Sequence, residues 1–424
     1  MNRILLLLLF PFLLSAHTVS ELFDALKSHP QSKSDEISVK KAKAGEEKTY
    51  SKLYPEVNLF AKYDNYSLPT GMIPLAPNHM LSLVQNPSHP AQPFSYNIYS
   101  TGVSISMPLF VKSIFTMADK AKMMQKSAEA QKKINLIKNE ALIVGANANL
   151  IYLKALEKAL EGKKRSLQET KKTVEIKVGN GRAAASALYM INDRLNQIDI
   201  ADNDIEIQKR SVIGTIEGLT GIKIDDALAM QKTAEITKNE FGSLQPLRER
   251  VKADRLETKA QKEKLYPSLY AHGSYMKSYG ESYNTYDSIS EEYGNVGVVL
   301  NIPIFNMNQY EEISLAKLES AKSEIELQKL SDELSSQARV LQESLPLLEN
   351  SAKLYKRSID EKKKLLEIAK LNYTNARLST EEYLRYEDDV VEQEANLYKT
   401  EAKSWQTLMQ LAVIYANNIE EIVK

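Results

Sequence analysis

The chain has 424 residues, more than one compact core accommodates, so two or more units are expected. Its 55 basic and 55 acidic residues cancel, which leaves no basic excess to neutralise phosphates and removes the simplest argument for nucleic acid. There is no cysteine, and this excludes a disulfide framework, thiol catalysis, cysteine-based metal sites and a lipoprotein anchor at a mature N-terminus.

The opening residues, MNRILLLLLFPFLLSA, read as a secretory signal over 1–16. Arg3 supplies a positive n-region, Ile4 to Leu14 an apolar h-region, and Ser15-Ala16 a small-residue end. The mature chain is then exported and begins near His17. The apolar run falls short of the ~20 residues that a spanning helix takes, and no later apolar run reaches that length. A membrane crossing would therefore use β-strands closed into a barrel.

A helix of about 35 residues is expected next, on its helix-forming composition, and it stops at the tetrapeptide Lys52-Leu53-Tyr54-Pro55. An alternating stretch follows, with Val57, Leu59, Ala61 and Tyr63 on one face and Asn58, Lys62 and Asp64 on the other. Pro69, Pro74, Pro77, Pro87, Pro90 and Pro93 then mark a loop. His79, Met80 and His89 in this loop lack a third fixed ligand, so no metal site is expected. A second alternating stretch places Thr101, Val103, Ile105 and Met107 opposite Gly102, Ser104 and Ser106, and ends in Pro108-Leu109-Phe110. One apolar and one polar face suit either a half-buried sheet in a soluble domain or a strand between lipid and water.

The long tracts that follow decide between these. No proline occurs from Leu109 to Gln245, and only Pro346 follows Pro303. Ser113 to about Lys177 and Asn308 to about Asn372 therefore read as helices of roughly 100 Å each at 1.5 Å per residue, a length no globular domain needs. Leu348, Ala352, Tyr355, Ile359, Leu366, Ala369 and Tyr373 keep a heptad, interrupted by Lys362, and Leu153, Leu160, Leu167 and Val174 keep the same register in the first tract. Pro346 predicts a kink or break in the second long helix.

The order of elements occurs twice. KLYP recurs at 264–267, again just ahead of a tyrosine-rich run. TGVSISMPLF (101–110) matches VGVVLNIPIF (296–305), pairing Gly102 with Gly297 and Pro108 with Pro303. The tract between the two landmarks is shorter in the second copy, as an exposed loop tolerates. The expected organisation is a first repeat over 17–225, a linker or equatorial segment over 226–240, and a second repeat over 241–424. Each repeat would hold a helix, a strand, a loop, a strand, a long helix and a returning helix. Tyr63, Tyr66, Tyr96, Tyr99, Tyr275 and Tyr279 cluster at the strands, either as an interfacial girdle or through ordinary strand propensity.

Four strands cannot close a barrel alone, since about eight is the smallest barrel, so several chains must share one. This pattern resembles the TolC-like outer membrane efflux proteins, the outer membrane factors, over the whole mature chain. The resemblance rests on ALKSHP (25–30), the LYP before each first strand, the Pro-Leu-Phe and Pro-Ile-Phe after each second strand, and helix turns near 178–189 and 373–384. It implies a mostly α fold with a membrane β-barrel portion: a tandem-repeat protomer of four strands and long coiled-coil helices. A homotrimer would then form a twelve-stranded barrel in outer membrane lipid and a twelve-helix tunnel through the periplasm of a Gram-negative bacterium. The implied function is a passive export conduit of a tripartite efflux or type I secretion system, partnered by a periplasmic adaptor (membrane fusion) protein and an inner-membrane pump. No enzyme motif and no cofactor is expected.

The resemblance also implies site residues. Tyr373 matches the tyrosine of the family's periplasmic gate, and Ala376 stands where a turn glycine is usual. The first gate acid falls on Glu382, beside Glu381, whereas the second falls on Arg385. Arg182, Arg377 and Arg385 are candidates for interchain pairs that hold a closed state. Val178, Gly179, Gly181 and Ala376 are candidates for adaptor contact, and either Gly179 or Gly181 can be the first turn's glycine. Tyr54, Pro55, Pro108, Tyr266, Pro267 and Pro303 are expected at the membrane boundary. The rival reading is an exported periplasmic coiled-coil structural or adaptor protein without a barrel.

Overall fold

The computed structural model describes residues 17–78, 80–81, 91–375 and 377–424. The expected signal peptide, the candidate turn residue Ala376, and His79 and His89 lie outside the described residues. Contacts divide the chain into two compact units. One joins Val39–Ser127 to Leu247–Leu327; the other joins the residues up to Ser38 to Ala128–Pro246 and Gln328–Lys424.

The expected first helix is two helices, α1 (Val19–Ser28) and α2 (Pro30–Ser51). The Thr18 hydroxyl caps α1 by accepting the Glu21 amide, and Pro30 pushes His29 into an extended conformation that separates the two. Strands β1 (Glu56–Gly71) and β2 (Phe94–Phe110) follow, then the long helix α3 (Lys112–Gly179) and its return α4 (Ala185–Thr220). The second series is α5 (Gln245–Glu263), β3 (Ser268–Glu281), β4 (Ser288–Asn301), the long helix α6 (Met307–Thr374) and its return α7 (Thr380–Tyr415), ending in the short α8 (Ile419–Ile422). Helix α5 has 19 residues, not the expected ~35. Ahead of it lies only a short 3-10 turn, Gly242–Leu244, because Ile224, Leu228 and Ile236 pack on the core and Lys232 bridges Val423 at the C-terminus.

The repeated tetrapeptide forms the same junction twice. The Leu53 and Tyr54 amides donate to Tyr50 and Ser51 carbonyls at 2.9 and 3.1 Å; the Leu265 and Tyr266 amides donate to Lys262 and Glu263 carbonyls, both at 3.1 Å. A helix stops, proline blocks its continuation, and a strand begins on the next turn of chain.

The four strands form one antiparallel sheet in the order β1-β2-β3-β4. The register aligns Val57, Ile105, Gly273 and Val296 in one row, and Leu59, Val103, Tyr275 and Gly294 in the next on the same face. That face is bare: Leu59 is 84% and Val296 92% exposed. The row Tyr63–Tyr99–Tyr279 closes it at one end, with the first two rings 4.7 Å apart. The other face carries polar rows, Asn58–Ser104–Ser274–Asn295 and Lys62–Ser100–Ser278–Glu291. The repeated glycines sit on this polar face for lack of room. The Phe60 ring lies where a Cβ on Gly102 would go, at 2.7 Å, and the His272 ring does the same at Gly297, at 2.7 Å. Each outer strand, β1 and β4, has one edge with no partner among the described residues.

Both long helices have 68 residues. Helix α6 runs on past Pro346, so of the expected kink or break the break does not occur. Proline costs about 3 kcal/mol in a helix interior. Here Leu341 and Leu345 pack against Leu411, Ile414 and Tyr415, while the Gln342 amide donates to the Tyr415 hydroxyl at 2.6 Å. These contacts hold the turn that leads into the proline. The heptad residues Leu153, Leu160, Leu167, Val174, Ala369 and Tyr373 meet Ile191, Ile198, Ile205 and Leu384 of the returning helices in one buried seam. A second cluster, around Phe23, Ile143, Leu150 and Ile216, gathers α1, α3, α4 and the C-terminal residues. Among the described residues, no helix is long and apolar enough to cross a membrane.

Candidate functional site

The turns joining α3 to α4 and α6 to α7 hold most of the sequence-predicted site residues. Both close alike. The Arg182 amide donates to the Lys177 carbonyl at 2.7 Å, and the Arg377 amide, at the matching place in the second repeat, donates to Asn372 at 2.8 Å. This reach back across the turn is a Schellman-type closure, which wants a left-handed residue within it. Gly181 supplies that in the first turn, at φ 72°, whereas Gly179 is the last residue of α3. The turn glycine is therefore Gly181, which matches Ala376 in the repeat alignment.

The two turns then diverge. Helix α4 starts at Ala184, whose side chain gives no cap bond. Helix α7 starts at Ser379, which forms a full capping box with Glu382. The Glu382 amide donates to Ser379 Oγ at 3.2 Å; the Ser379 amide and hydroxyl donate to Glu382 Oε2 at 2.9 and 2.7 Å. The Ser379 hydroxyl and amide, with Arg385 nearby, hold the Glu382 carboxyl below the usual carboxylate range. Glu382 is thus a charged group with a structural task, still exposed beside Glu381 and Arg385.

Tyr373 is a buried joint. Its ring stacks on Tyr383 with centroids 4.9 Å apart and 13° between planes, its hydroxyl lies 3.3 Å from Thr380 Oγ1, and Lys177 Nζ sits 4.9 Å from the ring centroid. Val178 packs half-buried on the same seam. Arg182, Arg377 and Arg385 are exposed and form no ion pair with any other described residue. At the strands, Pro55 and Pro267 directly precede β1 and β3, Pro108 lies opposite Tyr270 where the β2 register shifts, and Pro303 follows β4; Tyr54 and Tyr266 are exposed.

A charged belt two to three turns into α7 from the α6–α7 turn escaped the sequence reading. Asp388 on α7 pairs with Lys163 of α3 and, at 2.5 Å, with Arg194 of α4. The neighbouring Asp389 pairs with Lys362 of α6, the residue that interrupts the heptad. Glu387 is buried, accepts the Ser166 hydroxyl and lies beside Tyr383; burial pushes its carboxyl up, and burial likewise pushes the Tyr383 phenol up to about 12. The only sequence signal was acidic residues at 387, 388 and 389 facing lysines of the long helices, which reads equally as a solvated face.

No family model matches the chain, and no curated protein does. Solved structures do. The CmeC outer membrane channel of Campylobacter jejuni is 16% identical and superposes with a TM-score of 0.77 over 94% of this chain and 85% of its own. The outer membrane protein VceC of Vibrio cholerae is 12% identical, with a TM-score of 0.75 over 94% and 96%. The open-state MtrE outer membrane channel of Neisseria gonorrhoeae is 13% identical, with a TM-score of 0.73 over 95% and 90%. CmeC and MtrE are channels by name, and the match runs through strands, long helices and turns alike. The chain has the fold of the TolC-like outer membrane channels, with long helical hairpins and a four-stranded antiparallel sheet.

Proposed function

We propose that the chain is one subunit of an outer membrane channel, a passive export conduit in a tripartite efflux or type I secretion system. The observation that carries the reading is the sheet. Its apolar face is bare, its opposite face is polar, and both its edges are open among the described residues. Such a sheet is satisfied by lipid on one side, water on the other and further copies at its edges. Three copies give a barrel of twelve strands. The helices support the same assembly: Val340, Leu347, Leu354 and Ile368 form an exposed apolar stripe on α6, as do Ile200 and Ile207 on α4, each at heptad spacing. A second copy is the natural cover for both.

In this reading Tyr54, Pro55, Pro108, Tyr266, Pro267 and Pro303 mark the membrane boundary, and the hairpin turns form the periplasmic end. Tyr373 braces the second turn, Glu381 and Glu382 give a negative ring when three copies meet, and Arg385 offsets part of it. Arg182 and Arg377, with no ion pair among the described residues of one chain, are free to pair between chains. Gly179, Gly181 and the Val178 and Ala376 positions would meet a periplasmic adaptor, which links the conduit to an inner-membrane pump.

Membranes extracted in detergent and run without boiling test the reading. A heat-modifiable band of about three chains in the outer membrane fraction is expected. A soluble periplasmic monomer would refute it and favour the rival, an exported coiled-coil protein without a barrel.

A further inference from the structure

A cavity of about 690 Å³ opens between α3, α4, α6 and α7, within one compact unit. Leu330 and Leu334 of α6, Met409 and Val413 of α7, and Leu142 of α3 wall it. Helix α3 recedes there because Ala141, Gly145 and Ala146 carry almost no side chain; a Cβ on Gly145 would meet only Gln406 Cγ, at 3.6 Å. Leu142 is 55% exposed, although its neighbours Ile143 and Val144 are fully buried in the core behind it. The volume lies in the range of small-molecule sites, roughly 300–1,000 Å³.

Its charge sets it apart. Four other cavities in the molecule each have carboxylates in their walls, such as Glu349 and Glu401, or Asp193 and Asp388. This one has none, and its single ionisable group is Lys138. That ammonium forms no ion pair with any described residue, and the side-chain amides of Gln337, Gln406 and Gln410 around it likewise have no described hydrogen-bond partner. An apolar recess with one free cation and spare amide donors suits a molecule with an apolar body and an acidic head. A cationic head would meet only Lys138.

We propose that this cavity binds an anionic amphiphile, its apolar chain on Leu142, Leu334 and Met409 and its acid group on Lys138 and the neighbouring amides. All the lining residues belong to one chain, so the proposal depends on the channel reading only through whether a neighbouring copy covers the cavity. The test uses the purified full chain in lipid nanodiscs, titrated with 11-(dansylamino)undecanoic acid, with empty nanodiscs subtracted. Saturable fluorescence enhancement is expected, displaced by dodecanoate and not by dodecyltrimethylammonium. Lys138→Gln should weaken binding about two- to fivefold, the scale of one exposed charge contact. Gly145→Leu should abolish it by filling the recess, with an unchanged circular dichroism spectrum. Non-saturable uptake, equal displacement by the cation, or unchanged binding in Lys138→Gln would overturn the proposal. So would rapid disulfide cross-linking of Leu142→Cys between copies together with no probe binding, since another chain would then cover the cavity.

Discussion

Glu382 has a capping role in the structure and a proposed one as a pore charge, and the capping box allows the two to be pulled apart. Ser379→Ala removes the hydroxyl that accepts the Glu382 amide and donates to its carboxylate, but leaves every charge in place. Loss of a serine cap costs about 1 kcal/mol, and that converts to roughly fivefold faster amide exchange through local opening of the first turn of α7. Glu382→Gln does the converse. Its amide oxygen can still accept the Ser379 amide at the position now 2.9 Å away, so the turn should hold while the charge is lost. Hydrogen exchange by mass spectrometry on peptides spanning 377–390 reads the first role, and cation preference in planar bilayers reads the second. Ser379→Ala should change exchange and spare selectivity; Glu382→Gln should lower cation preference and spare exchange. The box also predicts acid sensitivity. The Glu382 pKa is depressed in the fold, so its contribution is present above the ordinary carboxylate pKa and is lost as pH falls through the folded value. Equal exchange rates in wild type and Ser379→Ala would show that the box does not hold the turn, and unchanged selectivity in Glu382→Gln would remove this residue from the pore.

Leu384 is 0% exposed in the helix seam, so Leu384→Ala should cost about 2–5 kcal/mol and lower the thermal midpoint, whereas the equivalent change at exposed Leu371 should cost far less. Gly181 sits at φ 72°, so Gly181→Val should strain the first turn by about 1–2 kcal/mol and raise its proteolysis, with Gly179→Ala nearly silent. Glu140 is 2% exposed on α3, and burial raises its carboxyl from 4.5 to about 7. A raised carboxyl pKa makes the folded state most stable below the unfolded value; stability then falls as pH rises to about 7 and stays flat above, a loss of about 3 kcal/mol by linkage. Glu140→Gln should erase that slope in thermal midpoints measured from pH 4.5 to 8.

What the sequence made legible was whatever repeats or has a period. The doubled KLYP marked two helix-to-strand junctions because proline and the residue before it act locally. Alternation in 101–107 and the leucine heptad named the bare sheet face and the buried seam, since both periods follow from backbone geometry alone. Pro346 does not break α6 because its penalty is local while the contacts of Leu341, Leu345 and Gln342 with α7 are tertiary. The shorter α5 has the same origin: apolar Ile224, Leu228 and Ile236 fit a helix in sequence, but a core is there to receive them. The Asp388 belt was hidden because pairing of Lys163 and Arg194 with one carboxylate depends on how three helices pack, and no spacing along one helix encodes that.

The two hairpins descend from one pattern, yet they are held at their turns by different means, and this asymmetry has a measurable consequence. The backbone closures at Arg182 and Arg377 are nearly equal in length, 2.7 and 2.8 Å, so the backbone does not distinguish them. The side chains do. The α4 start has alanine at its cap and no cap bond, and Val178 occupies the position that Tyr373 fills in the other copy. The α7 start has the Ser379–Glu382 box, the stacked Tyr373–Tyr383 pair and Lys177 over the ring. The box alone is worth about 1 kcal/mol, and an aromatic pair adds roughly 0.5–1.5 kcal/mol beyond its buried area. Lys177 belongs to α3, so the stack also ties the second turn to the first hairpin, and loosening the first turn need not release the second. In the wild-type protein, amides at 185–189 should therefore exchange roughly tenfold faster than those at 380–384. Tyr373→Ala should bring the two rates closer without touching the Ser379 bonds. Should the first turn prove the slower of the two, the ordering inferred from caps and stacking would be wrong, and contacts from neighbouring copies would have to dominate both turns.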